Sequence, residues 1–202
     1  MFYKVLFVVV ALELVFTPAE ADSWQKEFTK EGITIYTKSV PGSAMKAFMA
    51  EAIIDAPMET VNRILIDTPG QVKWIPDCIF SIDLQKISET HLISYNETKA
   101  PVVDNRDVVV ETRITISKDK IIHSFRALNR PDLKPELKGK VRIKDMEGKW
   151  ELTRMGDKTM VIYEVRANPG GSMPAWLVNS ASKDVPLKTI RGLRQMAASG
   201  KY

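Results

Sequence analysis

Cysteine is almost absent from this chain and histidine nearly so. Cys78 is the single cysteine among 202 residues, so no internal disulfide can form and the fold must be held by its core. Cys78 itself reads as a small buried apolar residue, with a reactive thiol as the alternative. His91 and His123 are the only histidines, and no spacing of His with Cys resembles a metal site. A nucleophile elbow, a phosphate loop and a zinc-protease motif are all missing. So are an RNP-type aromatic motif and any Lys/Arg block, which argues against nucleic acid as a partner. There is no internal repeat and no low-complexity stretch. These absences lead to the expectation of a protein with no metal, no cofactor and no catalytic site.

What the chain does contain is 45% apolar and 27% charged residues, enough for one good core and too little for two comfortable domains. Residues 1–21 differ from the rest. Lys4 gives a weak basic start, Val5 to Phe16 is an apolar run, and Pro18-Ala19-Glu20-Ala21 resembles an A-x-A cleavage site. Residues 1–21 therefore read as a signal peptide, 22–202 as the exported domain, and the location as periplasmic or secreted. Glu13 interrupts the apolar run, so an uncleaved anchor or a buried helix stays open; a confident membrane span needs ~20 apolar residues. The chain's net charge is +4, and removing Lys4, Glu13 and Glu20 leaves 28 basic against 23 acidic residues, +5. Such a mild balance slightly favours an anionic membrane surface.

Along the domain, short strands and turns give way to one long closing helix. Trp24 to Glu31 is short and amphipathic, and Ile33 to Thr37 with Lys46 to Ile54 reads as a hairpin. Asp55 is a candidate cap for a helix carrying Val61, Ile64 and Leu65. From Ile79 strands recur at close intervals, several joined by turns short enough for antiparallel hairpins. In one strand Val108, Val110, Thr112 and Ile114 alternate with Val109, Glu111, Arg113 and Thr115, so the first set should face inward. Trp150, Leu152, Val161, Tyr163 and Val165 should face the same way. The last helix follows Asn168-Pro169-Gly170-Gly171-Ser172 and places Trp176, Leu177, Ala181, Val185, Ile190, Leu193 and Met196 near one face. Pro186 should kink it.

Asn105-Arg106-Asp107 opening a central strand, Asn168-Pro169-Gly170-Gly171, and Pro174-x-Trp176-Leu177-x-Asn179 together resemble the START (StAR-related lipid-transfer) domain in its bacterial exported branch. The resemblance runs from about Trp24 to Arg194. It implies an α+β helix-grip fold, a curled antiparallel sheet wrapped around a long C-terminal helix with an internal cavity. It also implies carriage of one lipid or other apolar molecule, without catalysis, by a monomer. The loop Asn129 to Lys140 would be the mobile loop beside the last helix. Sterol-binding members carry an interior acid and an arginine; Thr112 stands at the arginine's place and Leu92 or Ile93 near the acid's, so sterol specificity is not implied.

Candidate wall residues of the cavity are Trp74, Tyr95, Val108, Val110, Thr112, His123 and Phe125. Trp150, Tyr163, Trp176, Asn179 and Met196 complete them. For each aromatic, an ordinary core position is the alternative. Arg106 admits a structural role or headgroup binding, and His123 a hydrogen-bonded core position, a ligand contact or a catalytic base. Lys183, Lys188, Arg191 and Arg194 form a basic helix face, either simply solvated or resting transiently on anionic membrane. The rival function is an aromatase/cyclase-like enzyme, which would require paired titratable groups inside the cavity.

Overall fold

The computed structural model describes residues 23–43 and 45–202, apart from the Ala175 side chain. The expected signal peptide lies outside these residues. The strands are β1 (Gln25–Lys30), β2 (Ile33–Lys38), β3 (Ala47–Ile54), β4 (Cys78–Ser88) and β5 (His91–Thr98). They continue with β6 (Asn105–Ile116), β7 (Lys120–Ala127), β8 (Lys140–Arg142), β9 (Asp145–Met155) and β10 (Lys158–Asn168). Helix α1 (Met58–Ile66) and a 3₁₀ turn, Pro69–Lys73, lie between β3 and β4, and α2 (Ala175–Ala198) closes the chain. One sheet runs in the order β1-β2-β3-β10-β9-β7-β6-β5-β4, with β8 on β6 beyond the end of β7. All pairings are antiparallel except β6 with β8. The curled sheet and the C-terminal helix make the expected helix-grip fold.

Period-2 alternation decides the faces. Ile114, His123, Trp150, Tyr163, Ala50 and Ile35 stand opposite one another across six strands. Most of that row joins Leu152, Val161 and Ile33 in the core beneath α2. From the helix come Leu187, Ile190 and Leu193. Ile190 and Leu193 are fully buried, worth about 1.5–3 kcal/mol each. Helix α2 packs on β2, β3 and α1, and it approaches most closely at Gly192, where an added Cβ would lie 2.1 Å from the Trp74 carbonyl oxygen.

Within the amphipathic stretch Trp24 to Glu31, Gln25–Lys30 is a strand that pairs with β2 through a two-residue turn at Glu31-Gly32. Both turn residues have positive φ, 55° and 65°, the backbone twist that suits a tight hairpin. Asp55 does not cap α1, whose N-cap is Pro57 without a side-chain bond; Asp55 pairs instead with Lys158 at 3.2 Å. The loop between Asn129 and Lys140 does not lie beside α2. Its Leu133, with Leu128, packs against Ile93, Tyr95 and Val109, which occupy the other face of the sheet. The helix continues through Pro186.

Candidate ligand-binding site

On the face toward α2, side chains differ sharply in how well they are covered. Val108, Val110 and Trp150 are buried, and Trp74 is buried among the same core. Thr112, Phe125 and Tyr163, on the same face, remain half-buried. The opposing helix shows the same gradient. Trp176 and Asn179 precede Leu187 and Ile190 by eleven residues, about three turns, so they share one stripe. Leu187 and Ile190 are buried, while Asn179 is exposed and Trp176 is 55% exposed. The C-terminal half of α2 thus closes on the core, and its first turns leave their sheet-facing stripe uncovered. Met196, half-buried, packs on the core at the closed end.

The walls are aromatic. Trp150 stacks on Tyr163 with centroids 3.8 Å apart, Trp74 meets Trp150 edge-on at 6.0 Å, and Phe48 meets Tyr163 edge-on at 5.3 Å. Phe48 escaped the sequence reading although its alternation with Ala50 and Ala52 marks it as inward. His123 is buried and its Nε2 lies 2.7 Å from Asn62 Oδ1 on α1; that partner carried no sequence signal. Burial pulls the imidazole down to about 4, so it is neutral at pH 7 and donates from Nε2 to the amide oxygen. Burial also pushes the Tyr163 hydroxyl above its usual range. Thr112 faces Leu92 directly across β5 and β6, so the pair of positions that would hold a charged anchor is uncharged.

Tyr95 is misplaced in the sequence reading. It stands opposite Val109, not Val108 or Val110, and therefore on the face away from α2. Its hydroxyl donates to Asp107 Oδ2 at 3.0 Å, and Lys134 lies over its ring at 4.7 Å. A strand's odd and even positions are easily exchanged when no neighbour fixes the register. Arg106 takes the structural role: it donates to the carbonyls of Asp104, Pro169 (3.4 Å) and Gly170 (3.2 Å), tying the loop before β6 to the loop before α2. The basic helix face is largely committed as well. Lys183 pairs with Glu27, and Arg191 grips Glu31 through two bonds of 2.6 and 2.7 Å. Arg194 donates to the carbonyls of Glu31, Gly32 and Ile53. These three residues hold the helix to the β1–β2 turn; Lys188 is exposed.

A volume of about 840 Å³ lies on the face away from α2. Trp24, Val40, Pro41 and Phe125 border it beside Glu111, Arg113, Arg126, Glu147, Glu164 and Arg166. Its charges are already paired: Glu111 accepts from His91, Arg113 and Arg126, all at 2.8 Å, and Arg166 meets Asp145 and Glu147. The Arg126 bond outweighs burial and holds Glu111 down to about 2. An acyl chain here would have to strip water from these ion pairs, which is costly. Among the described residues no group of His, Cys, Asp and Glu could hold a metal ion, and no helix is long and apolar enough to cross a membrane.

The sequence model of the START domain matches residues 16–200, and the chain belongs to the START domain family. The crystal structure of a STAR-related lipid transfer protein from Xanthomonas axonopodis is similar at a TM-score of 0.80 and 33% identity, over 88% of this chain and 100% of that one. An uncharacterised protein of Pseudomonas aeruginosa is 35% identical over 182 residues, 89% of each chain. Mouse phosphatidylcholine transfer protein is 25% identical over 80% of this chain and 77% of its own length.

Proposed function

We propose that the protein binds and carries a single lipid, or another apolar small molecule, between the first half of α2 and the helix-facing side of β5, β6, β7 and β9, without chemical conversion. The observation that carries this reading is the α2 stripe itself, buried at Leu187 and Ile190 yet exposed at Trp176 and Asn179. An indole aimed at the sheet but left uncovered is apolar surface open to a partner, each buried Å² of it worth about 25 cal/mol, and Asn179 beside it offers a polar contact. Mainly apolar walls with few polar groups are what lipid pockets offer. The relatives named as lipid transfer proteins support the same reading.

Acid–base catalysis fits poorly. Of the titratable groups on the helix-facing side, His123 is bonded to a neutral amide and Tyr163 is held protonated, so no acid sits beside a base. Native mass spectrometry of the purified protein, followed by solvent extraction, tests the proposal. One intact lipid per chain is expected; a converted product, or a protein that neither retains nor extracts lipid, overturns it. Export with removal of residues 1–21 belongs to the same proposal, and N-terminal sequencing of the exported protein should begin at Asp22.

A further inference from the structure

One buried polar atom among the described side chains lacks any hydrogen-bond partner: the indole nitrogen of Trp74. The residue is 5% exposed, so its N–H has given up water and received nothing in return. Leaving a buried donor unmade is costly, and native structures rarely tolerate it without a reason. The reason is not crowding by other polar groups, because Trp74 sits among Ile114, Trp150, Leu152 and Leu187.

The location suggests what the donor is for. Trp74 meets Trp150 edge-on, and Trp150 stacks on Tyr163. The Trp74 donor therefore interrupts a wall that is otherwise hydrocarbon and aromatic. The ring carbons around it accept an acyl chain, and an acceptor oxygen on the ligand can satisfy the donor. An anion is a poor fit, because burying a charge among Ile114, Trp150, Leu152 and Leu187 is costly and His123 beside Trp150 is neutral.

We infer that Trp74 Nε1–H anchors an uncharged acceptor oxygen of the ligand, as an acyl ester or amide carbonyl provides. This rests on the carrier reading above and narrows its ligand to acyl-linked lipids over hydrocarbons and ether-linked lipids.

The test presents the protein with vesicles of phosphatidylcholine, phosphatidylethanolamine and phosphatidylglycerol. Each is supplied as a diacyl ester and as the matching dialkyl ether, and the lipid extracted per chain is measured. A carbonyl acceptor removed from a buried donor should cost roughly ten-fold, so wild type should prefer esters by about that factor. Trp74→Phe keeps an aromatic ring and removes the donor, and should bring the two linkages to parity. Lipid-free Trp74→Phe should melt somewhat lower than wild type, since the smaller ring leaves a cavity in the core, so extraction is compared at a temperature where both are folded. Equal extraction of esters and ethers by wild type overturns the anchor and leaves lipid carriage standing, as does a preference unchanged in Trp74→Phe. Extraction of neither lipid class, with none co-purifying, removes the anchor together with carriage itself.

Discussion

Arg142 holds Asp107 through both carboxylate oxygens, Nε to Oδ1 at 2.9 Å and Nη2 to Oδ2 at 3.0 Å, with each side chain 1% exposed. Tyr95 adds a third bond, and Arg142 also donates to the carbonyls of Lys134 and Pro135. The pair thus fixes the loop after β7 to the face away from α2. Removing one partner of a buried pair strands the other, at a cost of about 3–5 kcal/mol. Arg142→Met should lower the denaturation midpoint accordingly and expose the loop around Lys134 to protease. Burial raises the Asp107 carboxyl, and the bonds from Arg142 and Tyr95 more than reverse this, leaving it below 3.8. Its contribution is therefore present above that pH and lost as pH falls through the folded value. Asp107→Asn should flatten the acid end of the stability curve.

The buried imidazole of His123 sets a second pH dependence. The unfolded chain binds this proton near 6.5 and the folded chain only near 4. Between those values the unfolded state holds more protons, so stability falls as pH drops from 6.5 toward 4. The loss should total about 3 kcal/mol. Urea titrations at pH 7 and pH 5 should show the decline, and His123→Gln should remove most of it.

Gly192 should resist replacement. Alanine is the better helix former by about 1 kcal/mol, yet its Cβ would stand 2.1 Å from the Trp74 backbone carbonyl, just past the 3₁₀ turn. Gly192→Ala should melt several degrees lower, whereas the same change at a helix glycine with free space would raise the midpoint.

Arg106→Ala separates a tie from a headgroup contact. Because Arg106 serves three backbone carbonyls, the variant should exchange amide hydrogens faster across residues 169–174 and be less stable. Its relative preference among phospholipid headgroups should not change. A stable variant with altered headgroup preference would contradict the assignment.

The fold was largely legible because its evidence is periodic. Val108, Val110, Thr112 and Ile114 alternate cleanly and lie on the helix-facing side, and Leu193 and Ile190 follow helical spacing into the core. What escaped depends on partners distant in sequence. Tyr95 was assigned to the wrong face because register, not composition, decides it. Lys183, Arg191 and Arg194 looked like a free basic surface because Glu27 and Glu31 lie some 160 residues away. Trp74 could be named as a wall residue, but its unpaired nitrogen emerges only once every neighbour is in place.

Two places compete for an apolar guest, the helix-facing side of the sheet under the first turns of α2 and the volume among the paired charges of the opposite face. Loading with a phospholipid carrying a photoactivatable acyl chain, followed by irradiation and peptide mapping, distinguishes them directly. Labels should fall on Thr112, Tyr163, Trp176 and Asn179; labels confined to Glu111, Arg126 and Glu147 would contradict the account.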